Sequence, residues 1–102
     1  MDFAMKFTVI LGPESDGGYS VTCPVIPGCA SQGDSLDEAI ENVREAILAC
    51  LEVRAAERMP LTRETHQLIA GEIKAVLRDR AEDGMPLTIE TREVEVEAEV
   101  PV

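Results

Sequence analysis

The chain has 102 residues, 45% of them hydrophobic, which suits a single domain able to bury roughly 65% of its unfolded surface. Twenty acidic residues against nine basic ones give a formal charge of −11, which opposes direct binding to phosphate backbones and either suits a basic protein partner or only keeps the chain in solution. The three cysteines are an odd number with no secretory signal before them, and the longest apolar run, Ala46 to Leu51, is far short of a membrane span, so a reducing cytoplasm is expected.

Lys6 to Leu11 alternates like a strand, with Phe7, Val9 and Leu11 on one face. Gly12 to Gly18 is loop chemistry, and Gly17-Gly18 can take the positive φ values of a hairpin. Tyr19 to Cys23 is the return strand, ended by Pro24, and Cys29 to Gln32 predicts a short third strand. Turn signals stand at Pro27-Gly28 and Gly33-Asp34. Ser35-Leu36-Asp37-Glu38 has the form of a capping box, in which the Ser hydroxyl and Glu carboxylate each satisfy a free N–H at a helix start. Pro27, Gly28, Gly33, Ser35 and Glu38 are therefore expected to hold the junction between sheet and helix.

From Ser35 to about Arg58, apolar residues recur at helical spacing through Leu36, Ala39, Ile40, Val43, Ala46, Ile47, Cys50 and Leu51, and Pro60 is the expected stop. A second helix is predicted from about Glu64 to Glu82, within residues 62–84. Its narrower stripe is Leu68, Ile69, Ile73, Val76 and Leu77. The motif Met-Pro-Leu-Thr-x-Glu-Thr flanks it on both sides, at 59–65 and 85–91, which marks either two similar helix-exit turns or, the favoured reading, a segment inserted by local duplication. From Arg92 to Val100, valines and Ala98 alternate with Glu93, Glu95, Glu97 and Glu99. One face of this strand packs, and the other is a row of carboxylates that serves either as a solvated guard against edge pairing or as a surface for a partner.

Catalytic chemistry is sparse. His66, the one histidine, stands alone on a polar turn, and Cys23 and Cys29 are too far apart for a usual zinc ribbon and have no second pair. Gly17-Gly18 lacks the context of a phosphate loop. No catalytic residue, cofactor or metal site is expected, and the chain is not expected to be an enzyme.

The residues from Phe7 to Leu51 nevertheless carry a resemblance. Phe7-Thr8-Val9, Gly18-Tyr19-Ser20-Val21, Pro24 through Pro27-Gly28-Cys29, Gly33-Asp34-Ser35-Leu36-Asp37-Glu38-Ala39 and Asn42-Val43-Arg44-Glu45-Ala46 together resemble the HicB family of type II antitoxins. The resemblance implies an α+β, partial RNase H-like β-β-β-α-β fold, an antiparallel meander with the last strand beside the first and helices packed on the sheet. Residues 6–58 form its core and 92–100 its last strand. It also implies a cytoplasmic antitoxin that neutralises a small basic HicA-type mRNA interferase by protein contact, commonly as an oligomer. Glu93, Glu95, Glu97 and Glu99 would then face the partner. The segment 62–84 stands where the family pattern has a short loop, and its stripe is assigned to a homo-oligomer interface. Only Pro101-Val102 follow the last strand, where many members carry a DNA-binding domain, which speaks against direct DNA binding. Two alternatives stand beside this one: a solitary structural or regulatory oligomer without a toxin, and a metal-dependent nuclease. The nuclease is disfavoured because the first strand holds no carboxylate between Lys6 and Leu11.

Overall fold

The computed structural model describes residues 2–99; the side chains of Asp2, Phe3, Ala98 and Glu99 lie outside the described part, as does Val100, the expected end of the last strand. The elements run β1 (Asp2–Pro13), β2 (Tyr19–Thr22), β3 (Ala30–Gly33), α1 (Leu36–Ala56), α2 (His66–Glu82) and β4 (Glu90–Glu99). The four strands form one sheet in the order β3-β2-β1-β4, with every pairing antiparallel. The α+β class, the meander and the place of the last strand beside the first are as expected. β1 starts earlier than its own pattern predicts because β4 supports it, in a ladder that runs from Asp2↔Glu99 to Leu11↔Glu90. β2 pairs only with Ile10 to Pro13.

One sheet face and α1 enclose the core. Phe7, Val9 and Leu11 of β1, Val21 of β2 and Val94 and Val96 of β4 meet Ala39, Val43 and Ile47 of α1. Cys23, Val25, Ile26 and Cys29 close the side of this core. Each large aliphatic side chain so buried contributes about 1.5–3 kcal/mol. The loop that supplies them turns at Pro27-Gly28, where the Cys29 N–H donates to the Ile26 carbonyl at 3.0 Å and Gly28 has φ +81°. Pro before a positive-φ Gly is the composition of a type II turn.

Two details of the junction differ from expectation. Gly33 is needed for room rather than for a turn: a Cβ there would press on the backbone nitrogen of Ala39 and lie 2.8 Å from the Glu38 carbonyl carbon. The end of β3 thus abuts the first turn of α1. Only half of the capping box forms: the Glu38 N–H donates to Ser35 Oγ at 3.1 Å, while the Glu38 carboxylate borders a polar cleft beside Asp34 and Asn42. Asn42 instead ties α1 to β3, donating from Nδ2 to the Gln32 carbonyl at 2.7 Å.

Both helices end alike. α1 stops at Ala56, ahead of Pro60, because Arg58 takes φ 55° and the Met59 N–H reaches back to the Arg54 carbonyl at 2.8 Å. At the end of α2, Gly84 has φ 69° and the Met85 N–H reaches the Arg80 carbonyl at 2.8 Å. Both are Schellman endings, in which carbonyls of the last turn find donors beyond the helix. In each, the same arginine also folds over the exit: Arg54 Nη1 donates to the Pro60 carbonyl at 3.2 Å, and Arg80 Nη1 to the Pro86 carbonyl at 2.7 Å.

α2, which begins at His66 rather than Glu64, lies across the other face of the sheet. Val76 and Asp79 line one cleft with Thr22 and Ala30, and another with Ser20 and Glu14. On that face Ile10 is 2% exposed, and Arg80, at 7%, is the one buried charged side chain among the described residues. The Arg80 guanidinium rests directly on Gly12 and donates to the Pro13 carbonyl at 2.9 Å. Each helix crosses the sheet once. α1 starts where β3 ends and finishes beside Ile26 and Pro27; the loop before α2 passes Thr8 at Glu64, and α2 finishes at Gly12-Pro13. The chain therefore returns to the end of the sheet at which α1 began, and β4 runs antiparallel to β1.

Candidate functional site

β4 is an edge strand, and the register decides what its outer edge offers. The Thr8 N–H donates to Glu64 Oε1 at 2.7 Å and the Thr8 hydroxyl to Glu64 Oε2 at 3.0 Å, so this amide points away from β4. In an antiparallel ladder hydrogen-bonded and non-hydrogen-bonded pairs alternate. Glu93, opposite Thr8, is thus in a non-hydrogen-bonded pair, as are Glu95 opposite Lys6 and Glu97 opposite Ala4. These three glutamates direct their main-chain N–H and C=O groups to the open edge. Their side chains stand on the face away from α1, because Val94 and Val96 between them are buried in the core. All three are exposed. Their neighbours on the strand stand about 7 Å apart, so the carboxylates repel one another weakly in water and together form a negative row. Glu99 continues the backbone ladder opposite Asp2, while its side chain lies outside the described part.

One cation stands in this row. Lys6 Nζ is 3.8 Å from Glu93 Oε1, with both side chains 64% exposed, a pair that contributes little. Glu95 and Glu97 make no ion pair among the described residues. Glu64 adds a fourth exposed carboxylate on the other side of Thr8. Sequence reasoning passed over it, since it stands in a loop and meets β1 only because β2 stops short. The assembled surface is an acidic row joined to unpaired strand hydrogen-bonding groups, suited to a basic extended segment. Nothing in it resembles a nucleophile with a base.

The other residues chosen from the sequence fall into two places. Pro27, Gly28, Gly33, Ser35 and Glu38 border the junctions around β3. Leu68, Ile69, Ile73, Val76 and Leu77 are each half-buried on α2, with Val76 turned to β2. His66 is exposed on the first turn of α2. Cys23 and Cys29 are buried free thiols. Burial pushes Cys23 up to about 11 and, with repulsion from Cys50, pushes Cys29 up to about 12, so neither is a thiolate near neutrality. Among the described residues no helix is long and apolar enough to cross a membrane.

Residues 7–82 match the family model described as HicB-like antitoxin of bacterial toxin-antitoxin system. A UPF0150 protein of Synechocystis is 48% identical over 59 residues, which span 58% of this chain and 75% of the relative. Among solved structures, the N-terminal domain of Burkholderia pseudomallei antitoxin HicB superposes with a TM-score of 0.59 at 25% identity, covering 96% of this chain and all of that one (100%). A HicA3 and HicB3 toxin-antitoxin complex matches with a TM-score of 0.56 at 20% identity over 94% of this chain, a likeness of fold.

Proposed function

The chain belongs to the HicB-like antitoxin family, and on that premise we propose that it acts in the cytoplasm by binding and neutralising a small basic HicA-type mRNA interferase through protein–protein contact at the outer edge of β4. The observation that carries this reading is that Glu93, Glu95 and Glu97 present open main-chain groups and exposed carboxylates together. A basic strand laid against this edge would gain ladder hydrogen bonds and charge complementarity at once. The net charge of −11 steers a basic partner toward the chain, and the resemblance of its fold to a chain of a HicA3 and HicB3 toxin-antitoxin complex supports the assignment.

The test uses the product of a short basic reading frame adjacent to this one, titrated calorimetrically at low and high salt. Reversing Glu93, Glu95 and Glu97 together to Lys should weaken binding by at least about tenfold and flatten its salt dependence. Comparing Glu95→Pro with Glu95→Gln separates the two contributions, because both remove the carboxylate, only the proline removes the outward N–H, and the β1 ladder is kept in each. Unchanged affinity in both variants rejects the surface, and absence of any complex with the wild-type chain rejects the function. Self-association through α2 is a separate expectation, resting on the half-exposed remainder of Leu68, Ile69, Ile73, Val76 and Leu77. Light scattering at micromolar concentration decides it, with a monomer as the refuting result.

A further inference from the structure

The Met-Pro-Leu-Thr-x-Glu-Thr segments belong to a longer correspondence. Shifted by 26 positions, Ile47, Ala49, Leu51, Arg54 and Ala55 of α1 fall on Ile73, Ala75, Leu77, Arg80 and Ala81 of α2. The structure repeats with the sequence. Arg58 and Gly84, both at positive φ, take the same place at the two exits, and the N–H groups of Met59 and Met85 return to equivalent carbonyls at the same 2.8 Å. The side chains of Arg54 and Arg80 each reach the carbonyl of the proline six residues on. Helix, ending, arginine brace and exit motif recur as one block, whereas a chance resemblance of two turns would stop at the turn.

After the shared exit the two copies are used differently. Thr65 caps α2, accepting from the Leu68 N–H at 3.1 Å, and Glu64 holds Thr8; Thr91 instead enters β4 opposite Ile10, and Glu90 pairs with Arg92 at 3.0 Å. The first copy of the arginine braces only its own exit among the described bonds, while Arg80 also reaches Pro13 over Gly12.

We propose that residues 66–91 are a tandem second copy of residues 40–65, laid over the opposite face of the sheet, and that this copy turned the last strand round. One helix crossing brings the chain to the end of the sheet near Thr8; a second crossing brings it back to Pro13. The number of crossings therefore sets the direction of β4. With the copy removed, Thr65 is followed directly by Arg92, the exit motif stays whole, and the last strand starts from the opposite end and runs parallel to β1. Val94 and Val96 keep their alternation and still face the core in either direction.

The experiment deletes residues 66–91, alone and together with Ile10→Thr, which makes polar the large apolar side chain that β1 presents on the face under α2. Nuclear Overhauser contacts of the full chain supply the reference: close Hα–Hα pairs between Thr8 and Glu93 and between Lys6 and Glu95, as an antiparallel ladder requires. The expected result is cooperative thermal unfolding of at least the second variant, with those pairs lost and a parallel pattern between β1 and β4 in their place. If neither variant folds cooperatively, the block is not a separable copy and the proposal fails. If a variant folds with Thr8–Glu93 and Lys6–Glu95 still adjacent, the reversal of the strand is wrong.

Discussion

Replacing Gly12 by Ala tests whether α2 is held to the sheet by a single buried contact. The new methyl would stand in the Arg80 guanidinium, on top of Cζ and Nη2 and 2.6 Å from Nε. The guanidinium is the flexible end of its side chain and can move, but moving forfeits its bonds to the Pro13 and Pro86 carbonyls at 2.9 and 2.7 Å. Hydrogen bonds to a charged donor contribute about 1.5–3 kcal/mol each, and rehydration of the released group returns part of that, so a net loss of about 2–4 kcal/mol is expected. For a chain of this size that lowers Tm by about 10–20 °C, measurable by circular dichroism. Arg80→Ala should cost a similar amount, and the double variant no more than the worse single, giving a coupling of at least about 2 kcal/mol in the cycle. Strictly additive losses, or a Gly12→Ala protein within about 0.5 kcal/mol of wild type, would refute the reasoning.

Three further outcomes follow from the geometry. Arg58→Gly should raise stability by about 0.5–1 kcal/mol in urea melts, since Arg58 sits at φ 55° where Gly84 serves the equivalent exit; a loss would contradict this. Gly33→Ala should cost at least about 3 kcal/mol, because the added Cβ meets the rigid backbone of Glu38 and Ala39 rather than a movable side chain, and a near-neutral melt would count against that packing. The two buried thiols predict an alkaline weakness. Their pKa values lie above 9.0 in the folded chain, at about 11 and 12, so the unfolded chain releases its protons first; stability is complete below pH 9 and falls as pH rises through 11 and beyond. Urea midpoints at pH 8 and pH 10.5 should differ more in wild type than in a Cys23→Ala, Cys29→Ala variant, and equal differences would exclude the thiols as the cause.

Much of this arrangement is legible in the sequence. The alternation of Phe7, Val9 and Leu11, the turn at Pro27-Gly28, the cap at Ser35 and the glutamate row of β4 are local patterns, and local patterns survive folding when nothing competes with them. The length of β1 was not legible, because Asp2 to Met5 is held by β4, whose partner register no short window contains. Gly33 was visible as a glycine but not as a contact, since its reason lies in Ala39 on another element. Arg80 is the clearest case: a buried arginine on a weak helical stripe has no sequence signal, and its place depends on the absence of a Cβ at Gly12, far away in the chain. At the candidate surface, the alternation of Glu93, Glu95 and Glu97 with the valines is visible in the sequence, whereas the open main-chain edge beneath them follows only from the bond between Thr8 and Glu64.

The pairing of β1 with β4 has a consequence for how the protein is made. One edge of the first strand has no partner until the ten residues of β4, Glu90–Glu99, have been synthesised. At about 5–20 residues per second, Phe7 and Val9 wait on the order of 5–20 s on the ribosome with an unpaired strand edge beside them. Folding of the sheet is therefore a late event with widely separated contacts, the regime of slow closure. A chain that ends early loses the support of its central strand along with its tail, and a chaperone that holds the first dozen residues would protect the part of the protein most exposed to aggregation during synthesis.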